Sequence, residues 1–380
     1  MLQGAVYVWA LGPGMDLPWS ASMNFEELLK FAADQGASDV HFQSGSAPQV
    51  RIGGLIRNVE SPAIDVTALR QFTAAIAPQA IAEDMDGAML RGARFSRSFN
   101  GLGRFRCSLY GQRGNAGLVM HVVAATVATI DQLNLPAVLR EVAQTRRGIT
   151  IVTGPSGSGK STTLAAIVDH LNETLYGKIV TIEDPIEVLH SHKKALIAQR
   201  EIGTDVASMA DGIEQAIVQD ADVIVAGDLR DAATVRAALR AAETGHQVFA
   251  TMFNPNATQV LERLIGTVPT DEKRAVTAQL AEAMTAVIAQ KLAATKDGKR
   301  RPAVEVLRCG QYTTRCILEN RWTDLSTYLG SRQGGMQQLE QHLLELYLAG
   351  VISGTEAMKL ATNPETVAEG LRALRRSAGG

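Results

Sequence analysis

Eight consecutive residues, Gly154-Pro155-Ser156-Gly157-Ser158-Gly159-Lys160-Ser161, carry the strongest chemistry in the chain. Their spacing, GxxxxGK[ST], is that of a phosphate-cradling loop. The glycines let successive backbone N–H groups turn inward toward phosphate oxygens. A helix starting where the loop ends adds free N–H groups and the positive end of its dipole. Lys160 supplies a charge for the β- and γ-phosphates, the Ser161 hydroxyl suits a Mg²⁺ ligand, and Thr162 follows in the same helical turn. The pattern predicts binding of ATP with Mg²⁺. A chance glycine-rich turn would lack the flanks seen here, an apolar strand GITIVT before it and a helical STTLAAIVDHL after it.

Such a loop needs acidic groups to hold the metal and orient water. Two strand ends offer them. IVTIEDPIE brings Glu183, Asp184 and Glu187; DVIVAGDLRD brings Asp228 at the C-terminal edge of an apolar run. That edge is where open α/β sheets bind ligands. Acidic residues also follow strands as helix caps. Capping is the better reading for Asp231, just ahead of AATVRAALRAAETG. For Glu187 and Asp228 a chemical role is preferred, with Asp228 joining Ser161 at the metal.

The elements that must position these groups are legible from hydrophobic patterning. GITIVTG, KIVTIED, ADVIVAG and HQVFATM are continuous apolar runs separated by helical stretches, which implies a parallel sheet covered on both faces. VIAQKLAAT and PAVEVLRC flank KDGKRR as a hairpin. Upstream, FEELLKFAADQG reads as a helix closed by Gly36, SDVHFQSG as an alternating strand, and PQVRIGGLIRNV as a hairpin turning at Gly53–Gly54. Two helical patterns fill Asp65 to Arg91. ARFSRSF and GRFRCSLYGQRGNAGLVMHVV then give two or three strands carrying Arg94, Arg97, Arg104, Arg106 and Arg113. The expected organisation is α/β throughout. Residues 1–22 are a disordered lead or follow a misplaced start (Met1 or Met23), 23–125 form a small N-terminal domain, and 126–147 a connector with one short helix. Residues 148–310 form the nucleotide-binding domain and 311–380 a helical C-terminal region.

Composition bounds the partners. Hydrophobic residues make up 46% and charged residues 20%, enough to give each of two or three domains a core. The net charge is −2 and no basic stripe is visible, which argues against a nucleic-acid partner. Lys299–Arg300–Arg301 reads as a solvated hairpin tip and Arg375–Arg376 as a frayed end. The three cysteines, Cys107, Cys309 and Cys316, fit no zinc spacing and read as inert thiols in a reducing compartment. The longest uncharged run, Gly114 to Ile130, is too short and too β-branched for a membrane span, and Met1 to Met15 lack the basic start of a signal peptide.

Taken in order, GPSGSGKSTTLAA, TIEDPIE, KKALIAQREIG, DVIVAGDLRD and AAETGHQVFAT resemble the secretion ATPase superfamily of type II secretion and type IV pili. QGASDVHF, GRFRCSLY and QGGMQQLEQHLLELYLAGVIS resemble its pilus retraction branch, and the likeness runs from about Asn24 to Glu365. The resemblance implies an N-terminal PAS-like domain, a RecA-like P-loop NTPase domain with a helical C-terminal extension, and a homo-hexameric ring. It implies a motor that hydrolyses ATP to remove pilins from the pilus base. The ring would sit on the cytoplasmic side of the inner membrane, held there by an inner-membrane platform protein, with a second retraction ATPase as a further potential partner. It places Glu187 in an acidic motif, Asp228 at the Walker B position and His246 in a histidine motif. It also assigns phosphate contacts to arginines of the N-terminal domain, where Arg104, Arg106 and Arg113 match; as residues of strands they serve equally well as surface cations with salt-bridge partners.

The chain departs from this pattern at the positions that bear on hydrolysis. Asp228 stands where the family usually has Glu, one methylene longer. Phe253 replaces the second histidine of the histidine motif and can donate no hydrogen bond. Glu214 and Val218 replace two arginines expected on the helix before the Asp228 strand. The retraction motif near the C-terminus is kept in part, as TTRCILEN with Arg315. The expectation is an ATP-binding motor with slow turnover, or alternatively a ring subunit that binds ATP and regulates a partner motor. A DNA- or RNA-translocating motor is disfavoured by the charge. An assembly ATPase is disfavoured because the additional N-terminal domain and four-cysteine zinc site usual in that branch are missing.

Overall fold

The computed structural model of the chain describes residues 25–123 and 126–378. The expected lead and the choice between Met1 and Met23 fall outside these residues. The described chain divides into two compact units, one of residues 25–123 with Pro185–Leu189, the other of residues 126–184 and 190–378.

The first unit runs α1 (Phe25–Asp34), β1 (Asp39–Gln43), β2 (Gln49–Ile52), β3 (Leu55–Asn58), α2 (Val66–Ile76), α3 (Gln79–Glu83), α4 (Met85–Arg91), β4 (Ala93–Phe99), β5 (Gly103–Gln112) and β6 (Asn115–Val122). Its six strands form one sheet, ordered β3-β2-β1-β6-β5-β4, antiparallel at every pairing. The β2–β3 hairpin turns at Gly53 and Gly54, both at positive φ (57° and 85°), a backbone state that favours glycine at each. Alternation sets the faces. On β5, Phe105, Cys107 and Leu109 are buried while Arg104, Arg106 and Ser108 between them are only partly covered. The buried face packs on Leu28, Leu29, Phe42 and Leu69. Three helices, rather than two, occupy the Asp65–Arg91 stretch. Asp65 caps the first, accepting from Ala68 N at 2.9 Å.

The second unit begins with α5 (Val138–Ala143) and continues β7 (Gly148–Thr153), α6 (Lys160–Thr174), β8 (Lys178–Glu183), β9 (Leu196–Glu201), α7 (Met209–Val218), β10 (Val223–Asp228), α8 (Ala232–Glu243) and β11 (Gln247–Met252). Then come α9 (Ala257–Thr267), α10 (Lys273–Ala283), β12 (Met284–Ala294), β13 (Arg300–Arg308) and five helices, α11 (Gln311–Leu318), α12 (Trp322–Leu329), α13 (Leu339–Leu348), α14 (Gly354–Leu360) and α15 (Pro364–Ala378). The sheet has seven strands, ordered β13-β12-β7-β11-β10-β8-β9. All pairings are parallel except β12–β13, the hairpin read from KDGKRR.

Burial of β7 is complete along its length, as a central parallel strand requires. Ile149 and Ile151 face one layer of helices, with Val235, Leu239, Leu261 and Leu280. Val152 faces the other, with Leu139, Leu164, Ile167 and Leu171. A separate cluster, with Leu339, Leu343, Val367 and Leu371, holds the last three helices together against Ala293 and Ala303. Helix α15 continues to Ala378, past the pair Arg375–Arg376 that the sequence suggested as a frayed end. The alternation of parallel strands and covering helices is that of an α/β nucleotide-binding domain.

Candidate phosphate-binding site

The glycine-rich loop leaves β7 at Thr153 and enters α6 at Lys160, the strand-to-helix junction its spacing predicts. Gly154, Gly157 and Gly159 have φ of 149°, 75° and 87°. A side chain is strained in such a backbone, which is the kind that lets loop N–H groups turn toward a bound phosphate. Packing adds to this. A Cβ on Gly154 would collide with the Gln290 carbonyl oxygen, and one on Gly159 would come within 2.7 Å of Gln290 Nε2. The loop is therefore held against β12 at both of its ends.

Lys160 is buried at the first position of α6, and its Nζ donates to the carbonyls of Gly154 (2.9 Å) and Pro155 (3.0 Å). The same ammonium lies 3.9 Å from the centre of the Phe253 ring. Phe253 stands just beyond the end of β11, next to β7 in the sheet, and is half exposed. Substitution of the expected histidine thus places an aromatic face where a hydrogen-bonding group is expected, and the face attracts the lysine charge. Ser158 is buried and its Oγ has no hydrogen-bond partner. A buried hydroxyl left open in a glycine-rich loop suits an oxygen-rich ligand such as a phosphate. Pro155 and Ser156 form the exposed crown of the loop, and Ser161 and Thr162 the exposed start of α6.

Asp228 ends β10, level with Thr251 on β11, so it lies toward the same C-terminal edge of the sheet as the loop. Its side chain is only 13% exposed, and Oδ2 accepts from Arg230 Nε at 2.7 Å. That hydrogen bond, with the charges of Asp228 and Asp184, holds the Arg230 guanidinium above even the usual arginine range. Sequence reasoning missed Arg230 as a neighbour of Asp228; the adjacent DLRD was the available signal. Asp231 caps α8, accepting from Thr234 N at 2.9 Å, as expected. The carboxylate of Glu183 is engaged at the end of β8 by Thr181 Oγ1 (2.7 Å) and Gln199 Nε2 (3.0 Å).

Within the second unit, His246 lies apart from this cluster. His246 precedes β11, whereas the loop follows β7, and the two strands run parallel in register from Gln247↔Gly148 to Met252↔Thr153. Six residues of strand put it about 20 Å from the loop, at the opposite edge of the sheet. There its Nδ1 meets Ala241 O and Thr244 Oγ1, each at 3.0 Å. Glu187 belongs to the segment grouped with the first unit, where Arg106 Nη1 stands 3.4 Å from its Oε1. Arg104 and Arg106 share one face of β5. Arg113 instead occupies the β5–β6 turn at φ 52°, well along the strand from them. Glu214, at an expected arginine position, pairs with Arg240 at 3.1 Å, and Val218 at the other is largely exposed.

No group of three or more His, Cys, Asp or Glu placed to hold a metal occurs among the described residues. The donor set expected from the sequence is smaller, Ser161 with Asp228, and relies on phosphate oxygens for the remaining ligands, as Mg²⁺ sites in phosphate-binding proteins do. Among the described residues no helix is long and apolar enough to cross a membrane.

The chain and its fold have known relatives. A family model described as "Type II/IV secretion system protein" matches residues 21–324. The type IV pilus retraction ATPase PilT of Pseudomonas aeruginosa is 36% identical over 90% of this chain and 99% of its own length. PilU, a type IV pilus ATPase of the same organism, is 34% identical over 88% of each chain. The solved structure of the pilus retraction motor PilT with bound ADP superposes with a TM-score of 0.84 at 33% identity, covering 92% of this chain and all of that one. The Legionella pneumophila ATPase DotB gives 0.80 at 26% identity, covering 90% of this chain and 98% of its own.

Proposed function

This chain is an ATPase of the type II/IV secretion system protein family, and on that premise we propose that it is a retraction motor for a type IV pilus, working as a homo-hexameric ring. The observation that carries the proposal is the loop itself. Three glycines at positive φ, a buried lysine at the helix start and a buried, unpartnered Ser158 hydroxyl converge at the mouth of a parallel sheet. Near full-length likeness to PilT supports the retraction reading.

In this reading the loop amides and Lys160 bind the β- and γ-phosphates, and Lys160 neutralises charge that grows on the transferred phosphoryl group. Gly154 to Gly159 orient the phosphate chain, while Ser161 and Thr162 present the N-terminus of α6 to it. Mg²⁺, when bound by Ser161 and Asp228, would supply Lewis-acid stabilisation of the phosphate oxygens. Asp228 also orients water, with one of its two oxygens already taken by Arg230. The ring is proposed to reach the inner membrane through a platform protein.

A second reading has an observation of its own. Asp228 is tied to Arg230, and Phe253 sits on Lys160 where the family's histidine would stand. Both features favour slow hydrolysis, and so an accessory subunit that binds ATP and modulates a partner retraction ATPase. Steady-state ATP hydrolysis by the purified oligomer separates the two. Turnover matching active retraction ATPases ends the accessory reading, and turnover no higher than that of Lys160→Ala ends the motor reading.

A further inference from the structure

A polar side chain lies buried inside an apolar strand directly beneath the phosphate loop. Gln290, on β12, is 2% exposed. The β12–β7 register pairs Ala289 with Thr153, so Gln290 falls level with Gly154, where β7 gives way to the loop. Its Nε2 donates to the carbonyl of Ser158 at 2.6 Å, and its Oε1 accepts from Thr163 Oγ1, on the first turn of α6, at 2.7 Å. A carbonyl can only accept, so the amide orientation is fixed by chemistry: nitrogen toward Ser158, oxygen toward the threonine hydroxyl. Thr163 is itself buried, and both bonds are shielded from water.

We propose that Gln290 is a positioning residue for nucleotide binding, which fixes the Ser158–Gly159 peptide so that its N–H faces the phosphates. The peptide unit is planar and trans, so its C=O and N–H point in opposite directions. Anchoring the Ser158 carbonyl against β12 therefore turns the Gly159 N–H away from β12 and into the loop. Without the anchor, this peptide is free to rotate, because Gly159 tolerates both signs of φ. A flipped peptide would aim a carbonyl oxygen at the anion in place of a donor. Thr163 keeps the anchor itself from turning, which links the loop to the first turn of the helix it feeds. The inference rests on the loop being the nucleotide site.

The experiment measures the dissociation constant for Mg²⁺-ADP, with KM and kcat for ATP, in the full chain and in Gln290→Met, Gln290→Glu and Thr163→Val. Gln290→Met keeps the shape and loses both hydrogen bonds. It is expected to raise the dissociation constant and KM on the order of tenfold with a smaller change in kcat, the scale of one buried bond left unmade. Thr163→Val removes only the outer bond and should have a smaller effect in the same direction. Gln290→Glu carries the distinguishing signature. Its carboxylate cannot donate to Ser158, but its protonated form can, so binding should be weak at pH 8 and recover toward pH 5, a trend absent from the wild type. If Gln290→Met does not fold, Thr163→Val and the pH profile of Gln290→Glu decide alone. Wild-type affinity in Gln290→Met, or a Gln290→Glu profile parallel to the wild type, overturns the proposal. Failure of the wild-type chain itself to bind Mg²⁺-ADP more tightly than Lys160→Ala overturns the nucleotide reading beneath it.

Discussion

The two sides of the nucleotide edge are built differently. On the phosphate side, between β7 and β12, the loop is held by backbone and buried groups: glycine conformations, the Ser158 carbonyl, Lys160, Gln290 and Thr163. On the hydrolytic side, at the ends of β10 and β11, the features are side chains held by local partners, Asp228 by Arg230 and Phe253 by Lys160. A site made from main chain is fixed once the sheet forms and tolerates little substitution. A site made from side chains at strand ends can be rewritten without disturbing the fold. Two of the departures from the expected pattern, Asp228 and Phe253, fall on the second side and none falls in the phosphate loop, so in this reading turnover can change while binding is kept.

The sharpest way to break that contrast is at Lys160. Replacing it with alanine should lower ATP turnover by about 10³-fold while leaving thermal unfolding close to that of the wild type, because the loss is of transition-state charge stabilisation. On the other side, Asp228→Glu combined with Phe253→His should raise turnover, on the order of 10- to 100-fold, with little change in nucleotide affinity. The scale is that expected when a misplaced catalytic group is restored. A double variant that hydrolyses no faster than the wild type would place the limitation elsewhere.

A third test concerns the support behind both sides. Burial raises the pKa of Glu305 to about 7, against the pull of backbone N–H groups from Ala257 and Leu339 and of Lys291, and with the help of nearby Glu340. The fold prefers this group protonated. Its contribution to stability is complete below the ordinary value of 4.5 and is lost as pH rises through about 7. Glu305→Gln should therefore flatten the pH dependence of unfolding between pH 5 and 8, by on the order of 3 kcal/mol. Denaturation curves at the two pH values read this directly. The smallest effect is expected at Arg106, whose contact with Glu187 joins two groups that are each about a third to a half exposed. Arg106→Ala should change stability by no more than about 1 kcal/mol, so any larger loss of turnover in that variant would mark a role in chemistry.

Much of this was legible in the sequence because it depends on local pattern. The apolar runs of β7, β8, β10 and β11 announce a parallel core, and GxxxxGKS announces what it carries. The position of His246 could have been read the same way, since it precedes its strand and the loop follows a parallel one. Strand β9 was not recognised as an element. It is an edge strand whose residues LIAQRE alternate only loosely, and pairing with β8 makes it a strand. Gln290 and Glu305 were invisible for a different reason. Each is the one buried polar residue of its strand, and the partner that explains it is some 50 to 130 residues away. That interruption is the usable signal: a lone amide or carboxylate in a buried strand must be bonded to something.

Glu305 also joins two parts of the second unit mechanically. Its carboxylate receives the first N–H of α9, at Ala257 (2.8 Å), and a backbone N–H at the start of α13, at Leu339. Helix α9 begins four residues after Phe253, and α13 is the first of the last three helices. One carboxyl group therefore seats the starts of both helices and joins the short loop after β11 to the last helices of the chain.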